Sequence, residues 1–355
     1  MSYELIWQLP VGGDARYGTA RLQLRGERGR GEAPFRPGVT DPRGGLFNHF
    51  DYLHQVARAA ELSGFDGVRV PHDPSGDESW IIAGYIARGT RSLKIIAEFE
   101  ASWGSAVYAA KNAVSFQRYT GGRLAWQLSP GAHESQRRRV ADPVVDGDVL
   151  ARIEEFLVVA RGVTAHAPFS FEGRFFEVRE GGFRGTLSNH RAPEVYLSGD
   201  SDEALEASAR HADVHVFSAA SADELKPRVS QLRESAGRQA RVRRAASLAA
   251  GVRLDILARE TREEAVFDAT RLAEQGGVLS AASSLLWPGL TARLGGADAT
   301  VVGSYDEVVE RLSAYAASGV SRFLLGGAPH LEEAYRLGTF VLPALRRRLA
   351  SLAAA

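Results

Sequence analysis

The 355-residue sequence contains no cysteine. Disulfides, thiolate metal sites and cysteine nucleophiles are therefore excluded. There is no surplus of either charge: 43 Lys and Arg balance 43 Asp and Glu, for a formal net charge of zero. A dedicated nucleic-acid binder carries a basic surplus, so nucleic acid is not an expected partner. No apolar run approaches the roughly 20 residues that span a bilayer, and Met1-Ser2-Tyr3-Glu4 lacks the basic and apolar regions of a secretion signal. A cytoplasmic protein without a membrane partner is expected. No His-Glu-x-x-His or comparable ligand spacing occurs, so no metal is expected. What is present is an ordinary globular composition, 45% hydrophobic and 9% aromatic, long enough for a sizeable core.

Strand-length apolar runs alternate with longer stretches whose apolar residues recur every three or four positions. The predicted strands are Glu4–Leu9, Gly67–Val70, Leu93–Phe99, Arg123–Leu128, Glu194–Leu197, Val214–Phe217, Ala249–Leu257 and Arg322–Leu325. The predicted helices include Phe47–Leu62, Trp80–Ala87, Ser105–Tyr119, Val149–Val163, Asp202–His211, Ala222–Ala236, Glu263–Ala273 and Leu331–Leu349. Such alternation implies a parallel sheet. Eight repeats suit a (β/α)₈ TIM barrel, here one domain over residues 1–355. An open doubly wound sheet is the alternative. Its Gly-x-Gly-x-x-Gly fingerprint does not fit the first strand's sequel, Leu9-Pro10-Val11-Gly12-Gly13-Asp14. Three insertions interrupt the repeat, after strands one, four and seven: Ala20–Gly45, Ala167–Gly185 with a hairpin-like alternation, and Gln275–Gly303.

In a barrel the chemistry sits at the C-terminal strand ends. That rule selects His72-Asp73, Ser129-Pro130-Gly131, Ser198-Gly199-Asp200-Ser201 and Arg253-Leu254-Asp255 among others. The Ser198–Ser201 stretch joins a strand to a helix. Its glycine permits close backbone approach and the helix start offers N–H groups to an anion such as phosphate; the alternative is that Asp200 or Ser201 only caps the helix. Arg253 and Asp255 share one strand face and form either a pocket pair or a structural one. His72 and His133 are candidate acid–base groups. Arg137-Arg138-Arg139 reads as a solvated face or a subunit contact rather than an anion grip.

Gly326-Gly327-Ala328-Pro329-His330-Leu331-Glu332-Glu333-Ala334-Tyr335-Arg336-Leu337-Gly338 resembles the bacterial-luciferase-like flavin monooxygenases, within them the reduced-FMN-dependent alkanesulfonate monooxygenases. Trp7 to Pro10 with Gly13-Asp14, Gly121-Gly122-Arg123, Tyr196 to Asp202, Gly251 to Thr261 and Gly295-Gly296-Ala297 match as well, so the likeness covers nearly the whole chain. It implies a two-component enzyme. A separate NAD(P)H:flavin reductase supplies reduced FMN, which reacts with O₂ to a flavin peroxide that attacks a small-molecule substrate. It also implies an isoalloxazine across the barrel mouth, a phosphate near Gly199–Ser201 with Ser198 and Asp200, a flavin edge beside Ser129 and Gly131, and a homodimer or homotetramer. Arg253 then corresponds to an active-site arginine. Arg253, Asp255 and His72 are the expected catalytic residues, and His330 is expected to support the last loop.

The departures from the family concern the substrate end. Asp255 stands where the family has histidine, Gly76 where it has cysteine, Ala328 and Leu150 where it has tyrosines, and Leu294 beside Arg293 where it has arginine. A carboxylate at 255 repels a sulfonate unless Arg253 neutralises it. The expected substrate is therefore not a simple alkanesulfonate but an amine or carbonyl compound, undergoing N-oxygenation or Baeyer–Villiger insertion. The alternatives are desulfonation to aldehyde and sulfite, a degenerate or non-catalytic flavin-binding barrel, and a deazaflavin-dependent oxidoreductase.

Overall fold

Short runs rich in β-branched and aromatic residues form the strands, and the amphipathic stretches between them form helices. The computed structural model describes residues 2–12, 49–74, 76–102, 104–131, 134–238, 248–276, 285–288, 290 and 297–354. The chain runs β1 (Glu4–Gln8), α1 (His49–Leu62), β2 (Gly67–Val70), α2 (Ser79–Gly89), β3 (Lys94–Phe99), α3 (Ala106–Thr120), β4 (Leu124–Leu128), α4 (Glu134–Arg137) and α5 (Val149–Ala165). It continues β5 (Phe169–Glu172), β6 (Glu177–Gly181), β7 (Glu194–Ser198), α6 (Asp202–His211), β8 (Val214–Phe217), α7 (Ala222–Arg238), β9 (Ala249–Arg259) and α8 (Arg262–Gly276). The last elements are β10 (Leu286–Pro288), β11 (Ala299–Ser304), α9 (Tyr305–Ala317), β12 (Val320–Gly326), α10 (His330–Phe340) and α11 (Leu342–Ala354).

Eight strands follow one another in the order β9-β12-β1-β2-β3-β4-β7-β8, and β8 pairs back to β9. The fold is the expected (β/α)₈ TIM barrel, closed by the eight strands read from the sequence. β9 is longer than its neighbours because it serves two partners on successive stretches. It pairs parallel with β12 from Ala250 to Asp255, and with β11 from Asp255 to Arg259.

Of the insertions, Ala20–Gly45 lies outside the described residues. The second contains the expected antiparallel hairpin, β5 with β6. The third is not wholly irregular: β10 and β11 pair antiparallel, and α9 follows. The sequence signal for α9 is a capping box, in which the Ser304 side chain accepts from Glu307 N–H while the Glu307 side chain accepts from Ser304 N–H. The final helix predicted over 331–349 is two helices, α10 and α11. Pro343 lacks an N–H and suits the first turn of a new helix rather than the interior of an old one.

Contacts divide the chain into two compact units. One comprises residues 1–93, 217–229 and 250–355; the other comprises 94–216 and 230–249. In the first, Trp7 packs on Phe65 with ring centroids 5.1 Å apart. A second apolar cluster, including Leu257, Leu272, Trp287 and Val302, seals α8 onto the β9–β11 side. In the second unit an aromatic chain runs from Phe99 to Trp126 (5.5 Å), on to Phe156 (6.0 Å) and to Phe176 (5.9 Å), tying the hairpin to α5. The tip of that hairpin is held by one carboxylate: Glu155 of α5 accepts the N–H groups of Arg174, Phe175 and Phe176. Among the described residues, no helix is long and apolar enough to cross a membrane.

Candidate active site

In the first unit the polar side chains come from β1, β2 and β9. Arg69 Nη1 donates to Gln8 Oε1 at 2.7 Å, and both side chains are buried. The two residues are paired in register across β1 and β2. Arg253 and Asp255 alternate with apolar Leu254 and so lie on one face of β9. Arg253 is half-buried and Asp255 is 2% exposed. Asp255 Oδ2 accepts the backbone N–H of Ala297 at 3.1 Å. Gly326 stands opposite Asp255 in register, and a Cβ at 326 would lie 2.3 Å from Asp255 Oδ1. The carboxylate thus occupies the space that the glycine leaves.

His72 follows β2 and is half-buried. The next residue, Asp73, turns back: its carbonyl accepts Gly76 N–H at 3.0 Å. A Cβ at 76 would lie 3.1 Å from the Asp73 Cβ, and one at Gly12 would lie 3.5 Å from Asp73 Oδ2. Gly76 therefore leaves room for an aspartate packed against its backbone. His133, Arg293, Leu294, Gly13-Asp14 and Gly295-Gly296 lie outside the described residues.

The motif that carries the resemblance is built into the core. His330 is 3% exposed, and its ring meets Trp7 edge-on at 6.0 Å. Glu333 is 1% exposed and lies 3.1 Å from Arg259 Nη1 and 2.9 Å from Arg336 Nη1. Burial pushes the Glu333 carboxyl upward in pKa, against the pull of Arg259 and Arg336. Arg259 also pairs with Asp268 at 2.6 Å. This network fastens α10 and α8 to the end of β9.

In the second unit a cavity of about 300 Å³ opens at the head of α6, lined by Gly131, Arg137, Asp146, Leu150, Gly199 and Ser201 among others. Asp200 lines it too and is exposed. Gly131 has φ +78°, and a Cβ there would lie 2.6 Å from the Glu100 carboxyl carbon. Gly199 has φ +140°, and its Cβ would lie 2.8 Å from that of Ala204. Only glycine leaves backbone bare at both places. Ser201 is the N-cap of α6, its hydroxyl accepting Ala204 N–H at 3.2 Å. The Glu203 carboxyl is held below its ordinary pKa by its own backbone N–H and by the Ser201 hydroxyl. Four of the predicted cofactor residues, Gly131, Gly199, Asp200 and Ser201, thus line one cavity; Ser129 and Ser198 flank it at the ends of β4 and β7.

Arg137 is a lining residue that sequence reasoning missed, as are Asp146 and Val149. Arg137 was expected on a solvated face or in a subunit contact, but it is 3% exposed within the single chain. Its Nη2 donates to Asp146 Oδ1 at 2.6 Å and to the Val144 carbonyl at 3.0 Å, and its Nε lies 3.5 Å from Asp142. Asp142 in turn grips Arg152 through two bonds of 2.6 and 2.8 Å, and those bonds hold its carboxyl below the usual range. The signal lay outside the arginine run, in the acids five and nine residues downstream. Arg138, by contrast, is the exposed partner of Glu134. Among the described residues no group of three or more His, Asp or Glu is arranged to hold a metal ion.

The fold has relatives. EDTA monooxygenase from Chelativorans sp. BNC1 is similar over 98% of this chain and 94% of its own, at 16% identity and a TM-score of 0.73. A riboflavin lyase solved with modified FMN and riboflavin is similar over 98% and 92%, at 17% identity and 0.72. An F420-dependent secondary alcohol dehydrogenase is similar over 97% and 99%, at 13% identity and 0.69. At these identities the likeness establishes the shared barrel. The family model for luciferase-like monooxygenases matches residues 31–322. With most of its length inside that match, the chain belongs to the luciferase-like monooxygenase family and is a flavin-dependent monooxygenase.

Proposed function

We propose that the protein is the oxygenase half of a two-component system. It takes reduced FMN from a separate NAD(P)H:flavin reductase and oxygenates a small organic substrate other than a simple alkanesulfonate. The observation that carries this is the cavity at the head of α6, where Gly131 and Gly199 leave backbone exposed beside a helix N-terminus. Those features fit a phosphate, and FMN is the flavin with a terminal phosphate. When bound, reduced FMN supplies the electrons that activate O₂.

The protein's own groups bind, orient and exclude. Gly131, Gly199 and Ser201 hold the phosphate end, with Ser129, Ser198 and Asp200 beside it. Arg253 orients an anionic group of the substrate. His72 holds or moves a proton at the end of β2. Asp255 has one oxygen committed to Ala297 and the other packed over Gly326. Its first role is to place the segment that returns to β11. Its charge beside Arg253 also weighs against a sulfonate. A cytoplasmic homodimer or homotetramer is the proposed working form.

Anaerobic titration with reduced FMN, followed by tryptophan fluorescence, tests the proposal. Saturable binding of reduced FMN, stronger than that of oxidised FMN or a reduced deazaflavin, is the expected result. Binding of the deazaflavin alone would move the protein to hydride-transfer chemistry, and no binding of any flavin would leave a non-catalytic barrel. Sulfite release from an alkanesulfonate, with reduced FMN and O₂ supplied, would restore desulfonation.

A further inference from the structure

We propose that a second copy of this chain docks across α9, the acidic patch on α8 of each copy meeting the basic patch on α11 of the other. The inference rests on the homo-oligomer proposed above and gives that oligomer a face.

The first observation is a cavity of about 360 Å³ on α8, lined by Arg259, Glu263, Glu264, Phe267 and Asp268. The cation in its wall is committed: Arg259 pairs with Asp268 at 2.6 Å and with Glu333 at 3.1 Å. Among the described residues, the Glu263 and Glu264 carboxylates have no ion-pair or hydrogen-bond partner. Beside them Phe267 is 63% exposed. Arg271 lies 5.8 Å from the centre of that ring, about two helical turns from Glu263. The cavity thus offers an arginine side chain two unspent negative charges and an aromatic wall.

The counterpart is on α11. Arg347 and Arg348 are exposed, and so is Leu352. The Arg347 guanidinium has no partner among the described residues, and Arg348 reaches Glu310 only at 4.0 Å, in the open. The spacing matches as well. Glu263 and Phe267 are four residues apart, as are Arg348 and Leu352. On each helix the charge and the apolar group therefore stand about 6 Å apart on one face. Side by side, the two helices set carboxylate on guanidinium and Phe267 on Leu352.

Both patches border α9. Arg262 of α8 pairs with Glu307 of α9 at 2.6 Å, and Arg348 of α11 pairs with Glu310. A two-fold axis across α9 brings each copy's α8 to the other's α11. The contact is then made twice, the interface is isologous, and the assembly closes as a dimer.

Sedimentation velocity on the full chain tests this. The expected result is a concentration-dependent dimer that salt at about 1 M dissociates. Two charge-swapped variants follow: Glu263→Arg with Glu264→Arg, and Arg347→Glu with Arg348→Glu. Each places like charges across both contacts and is expected to weaken the dimer at least about a hundredfold. Mixed in equal amounts, the two variants again face each other with opposite charges, and the dimer is expected to return. Phe267→Ser leaves the charges alone and is expected to weaken the dimer about tenfold with its salt dependence kept. The substituted side chains are all exposed, so the fold is kept. Wild-type affinity in either swapped variant, or no recovery in the mixture, would overturn the proposal while a homo-oligomer formed through another face stands. A wild-type chain that stays monomeric at every concentration would overturn both.

Discussion

The carboxylate of Asp255 accepts the backbone N–H of Ala297 at 3.1 Å. A barrel-strand side chain thereby fixes the start of the segment that leads into β11. Asparagine can keep this bond through its amide oxygen, and alanine cannot. Asp255→Asn is expected to hold the wild-type unfolding free energy within about 0.5 kcal/mol, while Asp255→Ala loses about 1–3 kcal/mol. Urea unfolding of both variants separates anchoring from proton transfer, because a general base is lost in either variant.

Gly326 sets the position of that carboxylate. With Cβ 2.3 Å from Asp255 Oδ1, Gly326→Ala is expected to cost about 1–3 kcal/mol by overpacking. In the Asp255→Ala background the same change should cost close to nothing, since the next contact is Gln8 Cβ at 3.7 Å. A double-mutant cycle by denaturant unfolding measures the coupling; additive costs would show that the two residues do not share the space.

Asp142 links acid stability to the cavity wall. Its folded-state carboxyl is held below the ordinary 3.8 by the bonds to Arg152. Its contribution is therefore complete above pH 3.8, and it is lost as the pH falls through the lower folded-state value. Asp142→Asn should be less stable than the parent at neutral pH by about 3–5 kcal/mol, the cost of stranding a buried partner. The gap should narrow steadily below pH 3.8. Unfolding free energies at stepped pH check both the size and the direction.

Glu333 belongs to the most recognisable stretch of the sequence, but it is buried and paired with Arg259 and Arg336. Glu333→Ala is expected to destabilise by about 3–5 kcal/mol and to leave flavin affinity unchanged at temperatures where the variant remains folded. Thermal unfolding and a flavin titration on the same sample distinguish support from function.

The barrel was legible because each of its strands is a short apolar run with its own following helix, a local pattern that survives without long-range knowledge. The turn at Ser198–Ser201 was legible as the capped start of α6 for the same reason: glycine, a capping serine and a helix start are neighbours in sequence. α9 was not read from the sequence, although Ser304 and Glu307 carry its capping box. Nor was the place of Arg137. A run of three arginines looks solvated, and only the chain's return through Asp142, Asp146 and Arg152 buries the first and leaves the second exposed. Asp255 was expected at a strand end but lies inside β9, where the pairing passes from β12 to β11, and its partner Ala297 lies 42 residues away. No spacing rule reaches that far. The likeness of Glu333 to a family motif likewise said that the residue mattered, without saying whether to chemistry or to support.

β9 forks. Asp255 is the one position paired in register with both Gly326 of β12 and Thr300 of β11. Below it the strand serves barrel closure, and above it the strand serves the excursion through β10 and β11. The register with β12, Ala250 to Asp255, is thus separate from the register with β11, Asp255 to Arg259. A graft that replaces the segment between Asp255 and β11 is expected to keep the β9–β12 register that closes the barrel. The grafting boundary that follows is a residue pair, Asp255 with Gly326, rather than a loop.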